Sequence, residues 1–142
     1  MANPLRDPPG SYRFEWTENS LIARFFGVID RALVLKAIDE RIGDPRFDNV
    51  QYLITDLREV TALPMEDIDL RAAKFYATAS ELAGQQRWNV AAFVVKPGPI
   101  EVAARRFCEL AVQTGSRVHR RVFVDFDEAE AWASTEASNH SR

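Results

Sequence analysis

Four aspartates lie where the sequence predicts strands to end or helices to begin, and they are the first residues that could do chemistry. They are Asp30, Asp56, Asp67 and Asp125. In open α/β sheets, ligands bind beyond the carboxyl ends of the strands, and clustered carboxylates there could hold Mg²⁺. Aspartate is also a preferred cap for the free N–H groups at a helix start. Because Asp30 and Asp67 suit capping positions, we favour capping and predict no metal site.

The segment 96–99, KPGP, joins a predicted strand to a predicted helix and is a second candidate. A lysine beside the free N–H groups of a helix start could hold an anion. Two of the four residues are prolines, which donate no hydrogen bond, so the segment differs from a glycine-rich phosphate loop. We predict a plain turn. Together with Asp30 and Asp56, Lys96 and Gly98 form at most a weak binding site for an anion or another ligand. We call these four residues the ligand rim.

Candidate nucleophiles are few. The single cysteine, Cys108, falls in the middle of a predicted helix, where a small buried side chain is the usual role. One histidine, His119, has no marked nucleophile near it in the sequence, and the other, His140, lies in the predicted tail. No Ser–His–Asp or Cys–His arrangement emerges. We therefore predict no catalytic residue, no cofactor and no enzyme activity.

The charge pattern excludes a general nucleic-acid binder. The chain has 142 residues, 18 of them basic and 21 acidic, which makes a net charge of −3. Six basic residues do cluster, and they are Arg105, Arg106, Arg117, His119, Arg120 and Arg121. Such a cluster is usually a solvated face, and its alternative role is contact with an acidic partner or a lipid headgroup. It lacks the interleaved aromatic residues of a nucleic-acid platform.

The length suits one domain. No apolar stretch approaches the roughly 20 residues that cross a bilayer, and the start lacks an apolar signal core. We therefore expect a cytoplasmic protein without integral membrane association. Proline-rich residues 1–10 and the small polar residues 135–142 are predicted to be mobile ends around a single domain over residues 11–134.

Hydrophobic periodicity predicts strands that alternate with helices. Strands are expected over 12–17, 20–28, 51–57, 88–95 and 120–125, and helices over 30–43, 66–83, 99–115 and 127–134. The first two strands form a hairpin, and the strand–helix–strand alternation implies a parallel sheet. In the second helix the apolar positions Ile68, Ala72, Phe75, Ala79 and Leu82 are expected to face the core. The predicted fold is α/β, with five strands, an antiparallel first strand and about four helices.

The order β-β-α-β-α-β-α-β-α resembles the STAS fold of sulfate transporters and anti-sigma-factor antagonists. The local match is YLITDLREVT at 52–61, an apolar strand followed by Asp-Leu and then Val-Thr. The segment 104–133 resembles the ending of STAS-like bacterial proteins that are grouped with SEC14-type lipid-binding folds. The resemblance covers roughly residues 11–134 and implies the STAS topology.

The resemblance breaks down in the loop before the second helix. Anti-sigma antagonists carry Asp-Ser-Ser-Gly or Asp-Ser-Thr-Gly there, and a hydroxyl accepts phosphate from a partner kinase. The corresponding stretch 62–67 reads ALPMED, which places Glu66 at the phosphoacceptor position without a hydroxyl or glycine. Glu66 and Asp67 are interpreted first as helix caps. The alternative is a permanently negative docking loop whose partner-binding residues are Arg58, Thr61, Met65, Glu66 and Asp67.

The resemblance implies a non-catalytic regulatory or protein-interaction module whose partner the residues do not identify. The alternative function is binding of a small apolar or lipid-like ligand, as in SEC14-type folds. The observation in favour of this alternative is the aromatic content of 11%. That alternative needs an apolar pocket of several hundred Å³. A homodimer is a further expectation because exposed sheet edges pair readily, although no residue in the sequence specifies it.

Overall fold

We describe the protein from a computed structural model, which covers residues 9–83, 89–113 and 116–140. Five strands and four α-helices alternate along the chain, with one short 3₁₀ helix at Pro45–Asn49. In chain order they are β1 (Ser11–Trp16), β2 (Ser20–Val28), α1 (Arg31–Ile42), β3 (Tyr52–Ala62), α2 (Asp67–Ala83), β4 (Val90–Val94), α3 (Pro99–Gln113), β5 (His119–Phe123) and α4 (Phe126–His140). This order confirms the predicted fold class.

The strands form one sheet in the order β1-β2-β3-β4-β5. The first pair is antiparallel and is closed by a hydrogen bond of 2.9 Å from Thr17 N to Ser20 O, while the other three pairs are parallel. Because every parallel connection steps to the next strand in the same direction, right-handed crossovers place α1, α2 and α3 on one face of the sheet. All four helices therefore begin at the edge where the parallel strands end.

The opposite face is covered by α4, which packs on β3, β4 and β5. Three alanines one turn apart, Ala129, Ala133 and Ala137, are buried against this face. Their small side chains let the helix lie close to Ile54 and Val94 of the sheet. Neighbouring residues along a strand point to opposite faces, so each central strand supplies side chains to both layers of the core.

Several element boundaries differ from the sequence prediction. The helix α4 runs to His140 rather than 134, because buried Ala137 continues its apolar stripe, and residues 135–140 are helical rather than a mobile tail. The strand β3 extends to Ala62 rather than Leu57, since it pairs with β2 along that length. Gly10, expected in the mobile N-terminal segment, packs so closely that a Cβ on it would lie 1.9 Å from the Val28 carbonyl oxygen.

The predicted buried face of α2 is wrong at two positions. Ile68 is 68% exposed and Phe75 is 74% exposed, whereas Leu70 and Ala73 face the core. The buried side of this helix also includes Lys74, which has no exposed surface, and the helix packs against α1 and α3. The helix is thus rotated relative to its most apolar pattern.

Other sequence expectations fall outside what the structure describes. These are the side chains of Ala79 and Leu82, the helix ends Gly84 and Gly115, the strand residue Trp88, and the mobile ends at 1–8 and 141–142. Within the described ranges, no helix is both long enough and apolar enough to cross a membrane.

Candidate functional site

The edge at which the parallel strands end holds most of the predicted site residues. Two of its aspartates are helix caps: Asp30, as predicted, and Asp125, which was not among the predicted caps. Asp30 Oδ1 accepts a hydrogen bond of 2.9 Å from Leu33 N at the start of α1, and Asp125 Oδ1 accepts one of 2.9 Å from Glu128 N at the start of α4. Each side chain satisfies a backbone donor that the helix leaves free.

The predicted anion loop is an ordinary turn into α3. Lys96 and Gly98 are exposed, and Gly98 has a φ of +135°, a conformation that L side chains rarely adopt. Its carbonyl accepts the hydrogen bond from Val102 N, and Pro99 occupies the first position of the helix, as predicted. Because Asp30 caps a different helix, the four residues of the predicted ligand rim do not form one constellation.

The fourth member of that predicted rim, Asp56, lies within β3 and is only 5% exposed. Its carboxylate is paired with Arg24 of β2 and with Arg58, whose Nε and Nη2 lie 3.0 and 2.9 Å from the two carboxylate oxygens. The Arg58 backbone N–H donates a third bond of 3.1 Å. Both guanidinium groups also lie over the Phe126 ring, at 4.9 Å for Arg24 and 5.5 Å for Arg58.

These contacts determine the charge state of Asp56. Burial alone raises the pKa of its carboxyl group, but the hydrogen bonds from Arg58 and the charges of Arg58 and Arg24 outweigh burial. The net result is a pKa below the usual value, so Asp56 is ionised at neutral pH. The Arg58 side chain therefore binds a buried carboxylate on the face of the sheet that α4 covers. The structure does not bring Arg58 together with the predicted loop residues around Glu66.

The loop before α2 carries the residue at the predicted phosphoacceptor position. Glu66 occupies the N-cap: its carbonyl accepts hydrogen bonds from Asp69 N and Leu70 N, and its own N–H donates to Asp69 Oδ2 at 3.0 Å. The helix is capped through the Glu66 backbone and the Asp69 side chain. The Glu66 carboxylate is exposed and makes no hydrogen bond with any described residue.

Asp67 is not a cap but part of an ion pair between two helices. Arg106 of α3 donates from Nη2 and Nε to its two oxygens, at 2.9 and 3.3 Å, and also donates to Glu109 at 3.2 Å. The hydrogen bonds from Arg106 and its charge hold the pKa of Asp67 below the usual range. The pair links the start of α2 to the middle of α3.

A groove of about 390 Å³ lies between the loop and the start of α3. Its lining includes three of the predicted partner-binding residues, Thr61, Met65 and Asp67, and also Val102 and Arg106 of α3. The structure thus unites these three residues, with Glu66 beside them in the loop. Val102 is 68% exposed and was not among the predicted residues.

Two further exposed apolar residues lie on α2, the helix whose residues Asp67 and Leu70 line this groove. Ile68 and Phe75 are seven positions apart, which places them on one face of the helix, with most of each side chain in solvent. We call the exposed set Glu66, Ile68, Phe75 and Val102 the rim surface. The sequence signal for Ile68 and Phe75 was present, but it was interpreted as a core-facing stripe.

Beneath the helices lies an apolar cavity of about 120 Å³, between the sheet and α1, α2 and α3. Its lining includes Ala23, Leu53 and Ala91 of the sheet and Val34, Leu70 and Ala104 of the helices. Small-molecule sites usually measure roughly 300–1,000 Å³, so this cavity is smaller than a lipid site requires.

The described residues present no group of three or more His, Cys, Asp or Glu side chains arranged to hold a metal ion. Burial raises the pKa of the Cys108 thiol, which counteracts formation of a reactive thiolate. Three of the six members of the predicted basic cluster make polar contacts within the chain: Arg105 pairs with Glu101, Arg106 with Asp67, and Arg120 with the Ser116 hydroxyl.

Comparison with solved structures relates this architecture to known proteins. An anti-sigma factor antagonist from Mycobacterium paratuberculosis superposes with a TM-score of 0.55 and 18% identity, over 89% of this chain and 95% of that one. The antagonist SpoIIAA in its unphosphorylated form gives 0.54 and 12% identity, over 88% and 97%. The chain has a STAS-like fold.

A third similar structure is a DUF3478-family protein from Shewanella loihica with a SpoIIAA-like fold. Its TM-score is 0.50 with 12% identity, over 94% of this chain and 98% of that one. No protein-family model and no curated protein matches the sequence. The likeness to these structures therefore concerns the fold, and the STAS-like chain keeps little of their sequences.

Proposed function

We propose that this STAS-like chain is a non-catalytic regulatory module that binds a protein partner through the rim surface. The observation that carries the proposal is the exposure of Ile68 and Phe75 on one face of α2, the helix that begins after Glu66, whose side chain is also exposed. Large apolar side chains that face solvent next to a charge are typical of protein docking sites. The similarity to anti-sigma factor antagonists supports a regulatory role.

The chemistry of the surface suggests the chemistry of its partner. Asp67 is already neutralised by Arg106, so Glu66 supplies the main unpaired negative charge. A complementary partner surface has an apolar centre to cover Ile68 and Phe75 and a basic side chain that reaches Glu66. The loop 62–66 contains no hydroxyl group. Glu66 keeps its charge permanently, so we propose binding that does not depend on a phosphate at this position.

The test is affinity capture from the native host with two rim variants, Glu66→Lys and Ile68→Asp. Each has a matched control. The control for Glu66→Lys is Glu130→Lys, at an exposed position of α4 on the other face of the sheet. The control for Ile68→Asp is Val112→Asp, at the far end of α3. Val112 is 79% exposed, so the same change there should leave the fold intact.

We expect one protein to be retained by the wild type and both controls, and to be lost with both rim variants. Its dissociation constant, measured with the purified partner, should rise at least about tenfold in each rim variant, since truncation or reversal at an interface centre costs more than about 1.4 kcal/mol. Retention of the same proteins by all five chains would exclude the rim surface.

A second candidate function rests on the apolar cavity beneath the helices. Its lining is mostly aliphatic and aromatic, which suits a small apolar guest. Its volume of about 120 Å³ restricts that guest to a few heavy atoms. We therefore rank ligand binding below protein docking.

A further inference from the structure

The strand β1 lies at an edge of the sheet, and its outer backbone groups have no partner strand in the described part of the chain. Directly after β1, Thr17 N donates a hydrogen bond of 2.9 Å to the carbonyl of Ser20, the first residue of β2, so Thr17 and Ser20 stand at a hydrogen-bonded position of the ladder. Hydrogen-bonded and non-hydrogen-bonded pairs alternate along an antiparallel ladder, so every second residue of β1 directs its N–H and C=O outward. By this register the outward residues are Tyr12, Phe14 and Trp16.

We propose that β1 pairs with the β1 strand of a second copy of this chain, antiparallel, around a two-fold axis at Phe14. In this register Phe14 opposes its own counterpart, and Tyr12 opposes Trp16 of the second copy. These are the residues whose backbone groups point outward, so each opposed pair can exchange two hydrogen bonds. Two five-stranded sheets would then continue as one sheet.

Charge complementarity selects this occupant and this register. Arg13 of each copy lies opposite Glu15 of the other, twice by symmetry. These are non-hydrogen-bonded pairs, in which opposed side chains approach most closely, and opposite charges there are favourable. The two side chains already share a face, because Arg13 Nη2 lies 3.1 Å from Glu15 Oε1 within one chain. That face is not under α4, which packs on β3, β4 and β5.

The other face of β1 adds aromatic pairs. Tyr12, Phe14 and Trp16 are half-buried and form a continuous row, with ring centroids 5.1 and 6.0 Å apart. In the proposed dimer this row meets its own inverted copy. Cross-strand aromatic pairs stabilise antiparallel strands.

The opposite edge of the sheet does not offer the same pairing. The sequence of β5 is HRRVF, so an antiparallel pairing centred on Arg120 or Arg121 places arginine against arginine. Like charges directly opposed are unfavourable. A joint between β1 and β5 would leave further edges open and would produce filaments rather than a closed dimer. The β1 edge is therefore the self-complementary one.

The experiment uses two charge reversals, Arg13→Glu and Glu15→Arg, with Glu130→Arg on α4 as a matched control. Each reversal alone opposes like charges across the two-fold axis. A mixture of the two variants restores opposite charges in the heterodimer. Sedimentation velocity over a concentration series measures dimerisation, and native mass spectrometry identifies the heterodimer. In the wild type, hydrogen exchange of the Phe14 amide reports whether the outer edge of β1 is paired, without the need for any substitution.

We expect a wild-type dimer in which protection of the Phe14 amide rises with concentration. Each reversal should raise the dimer dissociation constant at least about tenfold, the mixture should recover it, and the control should match the wild type. A wild type that stays monomeric throughout the series would overturn the proposal. A dimer with an unprotected Phe14 amide, or one that neither reversal weakens, would overturn it equally.

Discussion

At the scale of single residues, Asp56 shows how a buried charge is accommodated. It lies on a central strand with only 5% exposure, and its oxygens are held by two guanidinium groups and one backbone N–H. Arg24 and Arg58 remain partly exposed, so water still reaches their outer edges. The cluster ties β2 to β3 and to the first residue of α4, Phe126, through the ring beneath both arginines.

Asp56→Asn keeps the shape of the side chain and removes its charge. We expect the free energy of unfolding at pH 7 to fall by about 2 kcal/mol, because two part-buried guanidinium groups lose their counter-ion. Glu101→Gln, in the exposed pair with Arg105, is the matched control and should cost less than about 0.5 kcal/mol. Urea unfolding measures both, and equal effects would contradict this account of the cluster.

The Asp56 contribution also has a defined pH dependence. Its pKa in the folded protein lies below that of the unfolded chain, which is about 3.9 for aspartate. Its stabilisation is therefore fully present above about pH 4 and is lost as the pH falls through the folded-state pKa. The difference in unfolding free energy between wild type and Asp56→Asn should be constant from pH 7 to pH 5 and should shrink below pH 4. A difference that grows on acidification would show that the folded-state pKa is raised.

At the scale of elements, α4 depends on its row of small residues. Ala129 and Ala133 have no exposed surface, and Ala137 is 3% exposed. The helix has few large apolar residues, so its contact with the sheet depends on close approach rather than on bulky side chains. This is why the helix continues beyond the boundary that apolar periodicity predicted.

Ala133→Leu places three additional carbons in a contact that has no room for them. We expect a loss of about 1–3 kcal/mol in unfolding free energy, as for other overpacked cores. Ala131→Leu adds the same side chain to an exposed position of the same helix and should change stability by less than about 0.5 kcal/mol. Thermal unfolding of the two variants measures the contrast, and similar melting temperatures would contradict close packing of α4.

At the scale of the whole molecule, the layer between the sheet and α1–α3 limits what the protein can enclose. The cavity there measures about 120 Å³, whereas a lipid tail needs several times that volume. We expect native mass spectrometry of protein purified from its own host to give the mass of the bare chain or of its dimer. Denaturing mass spectrometry of the same sample is the control for covalent modification. A non-covalent adduct of lipid mass would favour the ligand-binding function instead.

Local patterns in the sequence determined the element order and the sheet. The hairpin follows from period-two alternation in Tyr12–Thr17, and the buried strand around Ile54 from a run that is apolar on both faces. The cap Asp30 could be located because capping is a short-range interaction between a side chain and the backbone three residues away. Asp67 was expected to be a cap on the same ground, but its side chain pairs with Arg106 instead. The absence of a hydroxyl group and of a glycine from the stretch 62–67 is likewise a property of the sequence alone.

Tertiary packing alone decided which face of each element is covered. Ile68 and Phe75 belong to a regular apolar stripe, yet α2, which packs on α1 and α3, buries Leu70, Ala73 and Lys74 instead. Likewise, Asp67 pairs with Arg106, 39 positions away on α3, whereas Arg58 pairs with Asp56, two positions away on its own strand. Periodicity identifies a helix and its apolar stripes, but burial depends on neighbours that are distant in sequence.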